Sequence, residues 1–112
     1  MNDISFEDFL KVELRVGEVV AVERFPAARK PAYILHVDFG PEIGVLKSSA
    51  QITVHYQPDD LIEKQVVAVV NFPTKQIGPI QSQCLVTGFH DENGAVALCV
   101  PDKKVPKGAR LL

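Results

Sequence analysis

The chain has 112 residues, 46% hydrophobic and 23% charged, an ordinary globular composition long enough to bury one core without staples. A net charge of −2 argues against coating nucleic acid through bulk positive charge, while leaving room for a local basic patch. Two cysteines, with no CxxC and no paired Cys/His spacing, argue against a zinc site, and no apolar run approaches a membrane span.

The acidic start, MNDISFED, lacks the apolar stretch of a signal peptide, so the expected compartment is the cytoplasm, without membrane insertion. Ser5-Phe6-Glu7-Asp8 reads as a capping box opening a short helix. Phe6, Phe9 and Leu10 fall on one face of it, a stripe for this domain or for a second subunit. From Leu14 to Glu23 the period becomes two, with Gly17 as the expected bend or bulge. A basic turn, Phe25 to Pro31, carries Arg29 and Lys30. The second strand, Tyr33 to Phe39, puts Tyr33, Leu35, Val37 and Phe39 on one face, and Gly40-Pro41 leads to a third, Val45 to Ala50. Within Gln51 to Lys64, Pro58-Asp59-Asp60 marks a helix start with Leu61 and Ile62 as its apolar contact. Val66 to Val70 is a strand buried on both faces. An irregular loop follows, polar at its ends and apolar at Ile77, Pro79 and Ile80. Such a loop on a rigid scaffold is where binding residues tend to sit. Cys84 to Phe89 is the next strand, and the Asn93-Gly94 turn leads to the last, Ala95 to Val100. Cys84 and Cys99 are expected to be buried, reduced neighbours, and the tail Pro101 to Leu112 to be extended.

This order predicts an all-β fold in a single domain, residues 1–112. It is a five-stranded Greek-key barrel of the oligonucleotide-binding type, with a short N-terminal helix and a helical segment between strands 3 and 4. In that fold Arg29, Lys30, Lys47 and Lys75 converge on one face, and a base could stack on Tyr33 or Phe72. The apolar part of the central loop (Ile77, Pro79, Ile80) is the alternative surface, suited to peptide. His36, His55 and His90 lie far apart, Ser48-Ser49 lacks the turn of a nucleophile elbow, and no glycine-rich phosphate loop is present. No catalytic residue, metal ligand or cofactor is therefore expected, and the chain reads as a binding protein.

Asp8 to Val12 followed by Leu14-Arg15-Val16-Gly17 resembles the opening of tRNA-binding domains. Asn71, Lys75 and Ser82 stand where that group has its Asn, a basic residue and the Ser of a Ser-x-Gly-Met signature. Cys84 and Leu85 replace the Gly-Met, and Cys84 forfeits the close backbone approach that Gly permits. The chain is similar along nearly its whole length to the CsaA family of export-related chaperones. The matching stretches are Ala28 to Tyr33, Val37 to Gly40, Lys47 to Thr53 and Gln76 to Pro79. That resemblance implies a homodimer that holds unfolded preprotein segments or meets the export machinery. The wider resemblance implies tRNA binding through Arg29, Lys30, Lys47, Lys75 and Ser82. Phe6, Phe9, Leu10, Leu111 and Leu112 are the apolar termini compatible with a dimer interface. A structural subunit of a larger complex is a third reading.

Overall fold

In the computed structural model, which describes residues 1–112, the chain enters through a capped helical turn. Ser5 Oγ accepts from the Asp8 amide at 3.0 Å and the Asp8 carboxylate accepts from the Ser5 amide at 3.2 Å, the reciprocal box that starts α1 (Phe6–Leu10). The Ser5 amide, and after it the Lys11 ammonium, hold the Asp8 carboxyl below its ordinary range. The strands follow as β1 (Leu14–Arg24), β2 (Tyr33–Asp38) and β3 (Val45–Ala50), then α2 (Pro58–Leu61) and β4 (Gln65–Val69). After these come β5 (Lys75–Ile77), β6 (Ile80–Ser82), β7 (Leu85–Val86), β8 (Gly88–His90) and β9 (Val96–Leu98).

β1 is long enough to serve two neighbours. Its first half pairs with β4 and its second with β2, both antiparallel, and the main sheet runs β3-β2-β1-β4-β7. This is the five-stranded, nearly closed barrel of the oligonucleotide-binding fold. The register slip that bends β1 lies at Val20, between Val19 and Ala21, and not at Gly17 as the sequence suggested. Before it Gly17 and Val19 are buried and Val20 is exposed, and past it Val22 packs on the same core as Val19, so the alternation slips by one. β2 behaves as its alternation predicts: Tyr33, Leu35, Val37 and Phe39 are buried and join Val19, Leu61, Val66, Ala68 and Leu98 in one core. β4 is buried on both faces. α2 plugs the barrel with Leu61, whereas Ile62, expected beside it, is exposed.

The central loop is more regular than its sequence suggested. β5 and β6 form a hairpin joined by Gly78-Pro79, with Gly78 at φ 55° as a tight hairpin turn of this hand requires. The expected strand Cys84 to Phe89 is broken at Thr87. Its amide and hydroxyl both donate to the Val67 carbonyl (2.9 and 2.7 Å), and its carbonyl accepts from the Cys99 amide at 3.1 Å. Beyond that point β8 leaves the barrel and pairs with β9, which spans less than the expected Ala95 to Val100. Cys99 therefore sits opposite Thr87 and is half-buried, while Cys84 is buried; both thiols are free. The tail is extended and lies along β1, with the Val16 amide donating to Ala109 (2.9 Å) and the Leu111 amide to Leu14 (2.9 Å). No helix is long and apolar enough to cross a membrane.

Candidate binding groove

Closing the barrel requires β3 to meet the chain around β7, and no ladder joins those strands. One main-chain bond and two side chains substitute for one at one end of the seam. The Gln83 amide donates to the Lys47 carbonyl at 2.7 Å, and Gln83 Oε1 accepts from the Lys47 amide at 3.0 Å. Ser82 Oγ accepts from the Ser49 amide at 3.2 Å and donates to the Cys84 carbonyl at 3.4 Å. The Ser82 hydroxyl, a candidate nucleic-acid contact, is thus already engaged inside the fold. Burial pushes the adjacent Cys84 thiol up to about 12, against a hydrogen bond with Ser48 that lowers it, so this sulfur stays neutral.

Past Ser49 the seam opens into a groove of about 630 Å³ between the end of β3 and β7, lined among others by Arg29, Lys30, Gln51, Ile52, Ile77 and Val86. A second hollow of about 390 Å³ adjoins it and contains Phe72, Lys75, Ser82 and Cys84. Ser49, Ile77 and Leu85 line both, and neither contains an aspartate or glutamate. Arg29, Lys30 and Lys75 therefore share one surface. Lys47 lies two residues before Ser49 on the outward face of β3, because Ser48 between them is buried, and it lines neither hollow. None of these four cations has an ion-pair partner, whereas Arg15, Lys107 and Arg110 are each bound to a carboxylate. A chain of net negative charge thus presents unpaired positive charge beside these hollows.

The apolar residues divide differently from the sequence expectation. Ile77 and Ile80 are half-buried against Phe25, Ala32 and Ile34, so they also anchor the hairpin to the loop after β1. Ile80 and Pro79 line neither hollow. The exposed apolar surface comes from Phe72 and Leu85, 55% and 49% exposed. Leu85 escaped the sequence reading because an apolar residue in a strand looks like core; its one signal is its place where the signature has Met. Tyr33 cannot stack a base: it is buried and its hydroxyl donates to the Tyr56 carbonyl at 2.8 Å. Phe72 remains available.

The termini form a second constellation. Glu13 accepts from Arg15 Nε at 3.2 Å and pairs with Arg110 at 2.9 Å, and Arg110 also donates to the Leu10 carbonyl at the end of α1 (2.7 Å). Asn71 donates to the Lys11 carbonyl at 2.7 Å and accepts from the Glu13 amide at 3.0 Å, which makes it a tether for α1. Around this clasp Phe6, Leu10, Leu111 and Leu112 are exposed and Phe9 is half-buried.

Comparison with known proteins agrees with this geometry. The family model described as "Putative tRNA binding domain" matches residues 14–110. The structure of the chaperone CsaA from Bacillus anthracis str. Ames is 47% identical with a TM-score of 0.92, covering 99% of this chain and 100% of that one. The CsaA chaperone protein from Picrophilus torridus is 45% identical with a TM-score of 0.91, covering 98% of this chain and 100% of its own. The methionine–tRNA ligase of Pyrococcus horikoshii is 38% identical over 111 residues, 99% of this chain, and the chain spans only 15% of that protein's length. The chain belongs to the tRNA-binding domain family and, within it, to the CsaA group.

Proposed function

We propose that this member of the family is a CsaA-like protein-secretion chaperone, a single-domain binding protein without catalysis that holds unfolded preprotein segments as a cytoplasmic homodimer. The observation that carries the reading is the groove: an apolar floor, exposed Phe72 and Leu85, a cationic rim and no carboxylate. Apolar surface left exposed in this way is suited to apolar chain that has lost its own core. The likeness to two structures described as CsaA chaperones supports it. The test is suppression of aggregation of a denatured reporter protein. Phe72→Ser/Leu85→Ser should lose most of the suppression with little change in melting temperature, because both side chains are half exposed. Suppression equal to the parent's would remove the groove from this role. Ile77→Ser is the less clean variant, since Ile77 packs on Phe25 and its loss lowers stability as well.

Structure-specific tRNA binding is the second reading, favoured by the unpaired Arg29, Lys30, Lys47 and Lys75. Lys75→Ala and Lys47→Ala should each reduce the slope of log affinity against log salt by about 0.7–0.9 if phosphates sit on them. Unchanged slopes in both would take this face out of RNA binding. The engaged Ser82 hydroxyl and Cys84 in place of the signature's Gly weigh against this reading.

A further inference from the structure

The wall of the larger groove is an unfinished strand edge. On β3 the backbone of Lys47 and Ser49 points away from β2, since the Lys47 amide and carbonyl and the Ser49 amide all bond across the seam to Ser82 and Gln83. The Ser49 carbonyl lies on the same edge, and its partner is the adjacent Ser48 hydroxyl at a long 3.3 Å. Two residues on, where β3 has ended, the exposed Gln51 offers an amide with no backbone or side-chain acceptor in the protein. A carbonyl and an amide two residues apart on one edge are what an added strand engages. Free edges of this kind are templates for pairing with another chain. Strand side chains alternate, so a segment lying here would present every second residue to the apolar floor of Ile52, Ile77 and Val86. Its other residues would pass the rim, where Arg29 and Lys30 stand without a neighbouring carboxylate.

We propose that the groove takes extended polypeptide by strand addition to the Ser49–Gln51 edge of β3, and that it selects segments in which apolar residues alternate with acidic ones. The proposal rests on the peptide-holding reading and gives that site its substrate class. Main-chain hydrogen bonds are indifferent to side-chain identity, so one edge can serve many unfolded segments, and the charge of the rim biases the choice. Segments with basic residues at the alternate positions are disfavoured by the same cations.

The experiment is fluorescence anisotropy on the full chain with four labelled octapeptides: alternating Val and Glu, the same with Lys for Glu, and the Val/Glu peptide N-methylated at alternate amides in one register or the other. The Val/Glu peptide should bind. The Lys exchange should weaken it tenfold or more at low salt. N-methylation in the register that faces β3 should weaken it about five- to tenfold, the value of one or two hydrogen bonds. Hydrogen exchange should show the Gln51 amide protected by the Val/Glu peptide, a readout that needs no variant. Gln51→Pro, which removes that amide, should match the N-methylation loss. Equal binding of N-methylated and unmodified peptides, with Gln51 unprotected, overturns strand addition while leaving peptide holding intact. Equal binding of the Glu and Lys peptides overturns the acidic selection. No binding of any peptide overturns the peptide-holding reading itself. Displacement of bound peptide by a single-stranded RNA that binds more tightly gives the slot to nucleic acid and also overturns the proposal.

Discussion

Replacing Gly17 by alanine should destabilise the fold by about 1–3 kcal/mol, the ordinary cost of overpacking a filled core. A Cβ at this position would stand 2.4 Å from Val37 Cγ1 and 2.7 Å from Phe39 Cε1, on the face of β1 that looks into the barrel. Both neighbours are buried and held in β2 or its immediate continuation, so neither can move aside freely. At roughly 4–8 °C per kcal/mol for a domain of about this size, the melting temperature should fall well outside experimental scatter. Gly17→Val should be worse. The distinguishing measurement is the double variant: Val37→Ala alone costs stability by leaving a cavity, but in the Gly17→Ala background it should recover part of the loss. Additive effects in that cycle, or a Gly17→Ala protein within 0.5 kcal/mol of the parent, would mean that the strand adjusts and the close approach is not required.

Gly17 was legible as a special position, and its reason was not. A glycine in a strand signals either a bend or a close approach, and only the positions of Val37 and Phe39, brought over by β2, decide between them. The bend at Val20 carries no residue signal, because a bulge is set by pairing on both sides of β1. The alternation in β2 and the fully apolar β4 were legible because burial there follows local periodicity. Thr87, where one expected strand becomes two, was not, since its hydrogen bonds to Val67 and Cys99 exist only after the barrel wraps.

The candidate site divides in the same way. Arg29 and Lys30 lie in the turn after β1 and Lys75 opens the β5–β6 hairpin, and knowledge of the fold was enough to bring them together. The groove's other half is made by residues that sequence assigns to the core or to no role. Leu85 is exposed because β7 is an edge with β3 only part-sealed against it, and Ser49 becomes an edge because Ser82 and Gln83 seal the seam on one side of it and not the other. The irregular loop that seemed the binding element is instead a hairpin, and Ile77 and Ile80 spend part of their apolar surface fixing it to Phe25. The proposed binding surface is the gap beside this hairpin, which Ile77 also lines.

The homodimer proposed above should appear in light scattering as twice the chain mass of 12.3 kDa at micromolar concentration. Its argument is the clasp at the termini. Arg110 ties the end of α1 to the tail and to Glu13, Asn71 ties the α1–β1 connection to the end of β4, and the tail pairs with β1 as far as Leu111. Two chain ends that would ordinarily fray are held in fixed positions. They carry Phe6, Leu10, Leu111 and Leu112 into solvent, with Phe9 half-covered and its ring centroid 6.1 Å from that of Phe6. A rigid apolar stripe on one subunit is self-complementary across a two-fold axis, where each copy covers the same patch of the other. Such pairing would place two cationic grooves on one particle and raise the effective concentration for a long unfolded segment that spans both. Phe6→Asp/Leu112→Asp should therefore halve the mass and weaken the holding of long chains more than of octapeptides. Both side chains are exposed in the single chain, so the variant should still fold, as its circular dichroism would show. A parent protein of monomer mass would end the dimer proposal. A folded variant that keeps the dimer mass would move the interface away from the termini.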